Sequence, residues 1–71
     1  MTPSQKKELW FKMLENHIPS FNALAEKVQM SRNTMLRKVG GQSTFSVDEA
    51  AVIAELLHLN MQEFHDIFLP Q

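Results

Sequence analysis

No cysteine occurs in the 71-residue sequence. That absence excludes disulfides and thiolate zinc sites, and it fits a reducing compartment. No apolar run approaches the roughly 18–20 residues that cross a bilayer. The opening stretch Met1-Thr2-Pro3-Ser4-Gln5-Lys6-Lys7-Glu8 lacks the apolar segment of a secretory leader. The expectation is a cytoplasmic chain with no membrane partner. A glycine-rich phosphate loop and a nucleophile motif are also missing. Glu55 and His58 have the i, i+3 spacing of carboxylate–histidine metal sites, but one such pair is common by chance. No enzyme, no metal and no cofactor is implied. So short a chain buries one core at most, over residues 1–71, and needs well-packed helices or self-association.

Charge is missing by sign as well. Residues 27–47 contain no acid but carry Lys27, Arg32, Arg37 and Lys38, whereas residues 48–71 contain no Lys or Arg but carry Asp48, Glu49, Glu55, Glu63 and Asp66. The first 26 residues balance three lysines against three glutamates. A formal charge of −1 therefore conceals a polar molecule with one basic face.

What is present in abundance is helix punctuation. Thr2-Pro3-Ser4-Gln5 combines a capping box with proline at the first helical position, and Leu9, Trp10, Met13, Leu14, His17 and Ile18 follow at helical spacing. The first helix is predicted at roughly 3–18, ended by Pro19. Ser20 caps a second helix at about 21–28 and Ser31 a third at about 32–39, with Met30 and Met35 as a hydrophobic staple. Gly40-Gly41 ends the third helix. Ser46-Val47-Asp48-Glu49 and Asn60-Met61-Gln62-Glu63 are two further capping boxes. They open a fourth helix at roughly 47–58 and a short fifth stapled by Leu59 and Phe64. The fourth is apolar almost all round, which predicts burial on more than one side, either within the monomer or across a dimer. Trp10 and Phe11 are adjacent, so only one of them can face the core. The fold class is all-α.

Two short helices joined by a tight turn outline a helix-turn-helix at about 20–39. The stretch from Phe21 to Arg37, above all Leu24-Ala25-Glu26-Lys27 and Ser31, resembles Cro- and repressor-type regulators of phages and mobile elements. Lys38-Val39-Gly40-Gly41, the Phe45-Ser46 pair and the last helix extend the resemblance over about residues 20–69. It implies a compact five-helix lambda-repressor-like domain that binds operator DNA as a transcription regulator, with the third helix in the major groove.

Recognition helices read bases from near their N-terminal end. That end offers Arg32 and Arg37 for guanine, Asn33 for adenine, and Thr34 for a hydrogen bond or a thymine methyl. Ser20, Asn22, Lys38, Gln42, Ser43 and Thr44 form the expected phosphate-contact set. Relatives often pair on palindromic operators, and Phe64, Ile67 and Phe68 are the expected contacts of a homodimer.

Three positions depart from the resemblance. Gln29 stands where glycine is usual in the turn, at a cost of roughly 1–2 kcal/mol if its backbone is left-handed. Phe21 and Leu36 are apolar where relatives carry polar or small residues. Either they pack locally, or they enlarge an apolar patch of the kind that meets protein. The second option carries the alternative function, an antirepressor or modulator that binds a cognate repressor and blocks its DNA-binding surface.

Overall fold

Five short polar side chains start the five helices of the computed structural model, which describes residues 1–70. Thr2 caps α1 (Pro3–Glu15), Ser20 caps α2 (Phe21–Lys27), and Ser31 caps α3 (Arg32–Val39). Ser46 caps α4 (Val47–Leu56) and Asn60 caps α5 (Met61–Phe68). In each case the side-chain oxygen accepts the backbone N–H three residues on, at 2.8 to 3.1 Å. At Thr2, Ser46 and Asn60 the reciprocal bond is also made, from the cap's own N–H to Gln5, Glu49 and Glu63 at 2.8 to 3.0 Å. A good cap is worth about 1 kcal/mol, a large share of the stability open to so small a domain.

The helix ends depart further from expectation than the starts. α1 stops at Glu15, three residues before Ile18, because the chain turns left-handed at His17, with φ of 61°. Ile18 N–H then reaches back to the Met13 carbonyl at 2.9 Å, the wrap-around bond of a Schellman motif. Gln29 (φ 59°) and His58 (φ 56°) repeat this turn, closed by Met30 to Ala25 at 2.8 Å and Leu59 to Ala54 at 2.9 Å. α4 accordingly ends at Leu56, two residues short of expectation. A side chain in this region strains the backbone. Here an apolar residue follows directly each time: Ile18 is buried, and Met30 and Leu59 pack against the core. Burial of those side chains offsets the strain.

The core runs from Leu9 and Met13 of α1 through Leu24 and Ala25 to Met35 and Val39, and on to Phe45, Ala50, Ile53, Leu57, Ile67 and Phe68. α2 packs on α3, and α1 packs on α5. Phe68 sits among aromatic rings, edge-on to Phe45 at 5.5 Å and tilted on Phe64 at 5.4 Å. Ile67 and Phe68 are each 1% exposed. This corrects the expectation that they form a dimer contact: they are consumed within one chain. Of the expected trio only Phe64 keeps partial exposure.

α4 buries one face, Ala50 and Ile53, and leaves Ala51 and Val52 in solvent, so it is not enclosed on several sides within the monomer. On α1, Trp10 is the half-buried member of the aromatic pair, tilted against Phe21 at 5.5 Å. Phe11 and Leu14 are exposed.

Polar ties bind distant parts. The buried Gln5 amide donates to the Pro70 carbonyl at 2.8 Å, and Asn16 donates to the Leu57 carbonyl at 3.3 Å. The Lys12 ammonium lies 3.4 Å from Glu15 and also pairs with Glu63 of α5. Hydrogen bonding to Glu63 is the main cause that raises the Lys12 pKa, and the same bond is the main cause that lowers that of Glu63.

Candidate nucleic-acid interface

The orientation of α3 follows from two residues four apart. Met35 is fully buried and Val39 nearly so, which fixes one stripe of the helix inward. Met30, ahead of the Ser31 cap, packs on the core and sets the angle at which the chain enters α3. Arg32, Asn33, Leu36 and Arg37 are thereby turned to solvent. Thr34 is half-buried, and its hydroxyl oxygen accepts from the Ser31 hydroxyl at 2.8 Å. Its remaining hydroxyl proton and its methyl group are what it can offer a ligand.

Gly40 and Gly41 extend this surface beyond the helix. Gly41 has φ of 88°, where a side chain is strained, and a Cβ there would stand 3.4 Å from the Met1 carbonyl oxygen. The turn is closed by Gln42 N–H to the Arg37 carbonyl at 2.9 Å. Gln42 consequently lines a shallow hollow of about 410 Å³ with Asn33, Leu36 and Arg37. Of the other residues expected to touch phosphate, Asn22 and Thr44 are exposed, and Ser20 and Ser43 are half-buried. Ser20 spends an acceptor lone pair on the Ala23 N–H at 3.1 Å, which leaves its hydroxyl proton free to donate.

Lys38, also expected to touch phosphate, is engaged within the fold. Its ammonium pairs with Glu49 at the start of α4 and lies 5.9 Å from the centre of the Phe45 ring. Its side chain is only 15% exposed. Glu49 thus holds both its own capping box and the lysine, and the bond to Lys38 is the main cause that draws its pKa below the usual glutamate range. The capping box exposed one of these two tasks to sequence reasoning. The other joins residues eleven apart across a loop, and no local pattern announces it.

Arg32 and Arg37 are a different matter. Among the described residues neither forms an ion pair with an acid. Two exposed guanidiniums with donor forks directed to solvent can grip base edges or phosphates. Phe21, by contrast, is drawn toward α1, where Trp10 packs on it and the Lys6 ammonium lies 5.8 Å from its ring centre. It packs locally, while Leu36 stays 42% exposed.

The acidic end of the molecule carries no comparable site. Glu55 and His58 line a separate hollow with Val52 and Leu56. Among the described residues no three His, Asp or Glu side chains are grouped to hold a metal. Among the described residues no helix is long and apolar enough to cross a membrane.

Comparison with known sequences agrees with the geometry of α2, the turn and α3. The family model of the Cro/C1-type HTH DNA-binding domain matches residues 8–68. No curated protein and no solved structure gives a match.

Proposed function

The chain belongs to the Cro/C1-type helix-turn-helix DNA-binding family, and from that premise we propose that it is a phage-type transcription regulator that binds operator DNA by laying α3 in the major groove. Arg32, Asn33, Thr34 and Arg37 read base edges. Ser20, Asn22, Gln42, Ser43 and Thr44 hold the backbone on either side, and α2 crosses it. The observation that carries this reading is the outer face of α3. Arg32, Asn33 and Arg37 stand in solvent, with no acid among the described residues neutralising either arginine, on a helix anchored by Met35 and Val39.

We further propose that two copies bind together, each reading a half-site about one helical turn from the other. With Ile67 and Phe68 committed to the core, their contact falls on the apolar hollow of about 620 Å³ lined by Ala51, Ala54, Leu59, Met61 and Phe64.

The test is selection of bound duplexes from a random pool by the full chain, followed by titration of the selected duplex at rising salt. A defined sequence should emerge, and affinity should fall steeply with salt as counterions are released. Arg37→Ala should weaken the preference, most at one base pair, and leave the helical signal unchanged. Capture of a cognate repressor, with no duplex bound at any salt, would overturn the proposal in favour of a modulator of repression.

A further inference from the structure

We infer that Leu36 is a specificity residue that reads the C5-methyl group of a pyrimidine in the major groove, between the base edges taken by Asn33 and Arg37. The inference rests on the operator-binding reading above and adds a ligand feature to it.

A single exposed leucine is ordinary on a protein surface; its position here is what matters. Met35 and Val39 already fill the buried stripe of α3. Leu36 stands on the outer face three residues from Asn33, so the helix sets the two side by side. It lines the hollow that these two share with Gln42. Its 42% exposure leaves apolar surface to be covered by something outside the chain.

A protein partner would need a broader apolar patch, whereas the other residues of this hollow, Asn33, Arg37 and Gln42, are polar. A duplex major groove supplies the matching pattern: hydrogen-bonding base edges interrupted by one apolar group, the methyl on C5 of thymine. 5-Methylcytosine carries the same group at the same place. The methyl group loses water against Leu36 while the flanking amide and guanidinium make their bonds.

The experiment starts from the duplex selected by the full chain. Each thymine is replaced in turn by uracil, which removes only the methyl group and keeps base pairing. At one thymine the swap should weaken wild-type binding about fourfold, the effect of one buried carbon. In Leu36→Ala, whose helical content is checked by circular dichroism, that swap should have no effect. In Leu36→Met it should keep most of its effect. At the same position, 5-methylcytosine should outbind cytosine with the wild type and not with Leu36→Ala. Preference for thymine over 5-methylcytosine identifies the ordinary base as the source, and the reverse identifies a methylated site. Equal binding of uracil and thymine at every position overturns the role of Leu36 but leaves operator binding intact. Full methyl dependence in Leu36→Ala does the same. Failure to select any sequence removes the operator reading itself, and this inference with it.

Discussion

α3 and the α4–α5 region carry opposite charge and put it to opposite uses. In the acidic region, Glu49 and Glu63 are each bound twice, once to the N–H of a helix cap and once to a lysine of another helix. Those carboxylates hold the fold. On α3 the two arginines are bound to no acid among the described residues and project outward, so they contribute little to folding and remain available to a ligand. Lys38 marks the boundary: it is part of α3 by sequence and part of the α4 junction by its bonds. Counting charges along the chain finds the basic segment, but only the bonding separates structural cations from free ones.

Four substitutions and a pH titration test this division. The largest effect is expected from Phe68→Asp. Losing a buried aromatic costs roughly 3–5 kcal/mol, and an unpaired carboxylate among Phe45, Phe64 and Ile67 adds to that. Thermal melting by circular dichroism should find no cooperative transition. A folded, monomeric variant would show that the last helix is not core.

Next comes Arg37→Ala, which should lose about 1–3 kcal/mol of operator discrimination with its melting temperature unchanged within error. A parallel loss of stability would break the claim that this face is free of structural duty.

Glu49→Gln sharpens the boundary. Glutamine preserves the capping box, so the variant loses only the charge on the Lys38 partner. Stability should drop by about 1 kcal/mol, since glutamine can still accept a hydrogen bond from the ammonium and only the charge of a part-buried pair is lost. The released ammonium should strengthen binding to duplex DNA and steepen the salt dependence by about one phosphate contact. Unaltered salt dependence would mean that Lys38 stays out of reach even when freed.

Gln29→Gly should raise the melting temperature, by up to about 1 kcal/mol of stability, since the left-handed turn suits glycine. DNA affinity should not change.

Acid supplies the last test. The carboxyls of Glu49 and Glu63 both titrate below the ordinary 4.5. Their contribution is complete above that pH and is lost as pH falls through the lowered values. Lys12, raised above 10.5, contributes below that value and is lost as alkali passes the raised one. Melting temperatures between pH 3 and 7 should fall on the acid side, and Glu49→Gln should flatten the fall.

The helix starts were legible in the sequence because capping is local: Thr2 and Gln5, or Asn60 and Glu63, need nothing beyond their own turn. The ends at His17 and His58 were not legible. Neither residue is the glycine or asparagine that usually marks such an end, and the turn is stabilised by Ile18 and Leu59 finding a core that only the assembled helices provide. The outward face of α3 could be read from Met35 and Val39, since helical spacing alone separates them from Arg32, Asn33 and Arg37. Phe68 was misread because periodicity identifies an apolar stripe without saying what covers it. The pairing of Lys38 with Glu49 was not legible because it is fixed by tertiary approach.

The bond from the Gln5 amide to the Pro70 carbonyl, together with the packing of α1 on α5, makes the polypeptide a nearly closed ring. Pulled by its two ends, such a ring opens like a zipper rather than shearing along its length. α1 and α5 separate first, and the pair α2–α3 feels the load last. An extension trace should record this as an early low-force step, with the DNA-facing helices surviving beyond it.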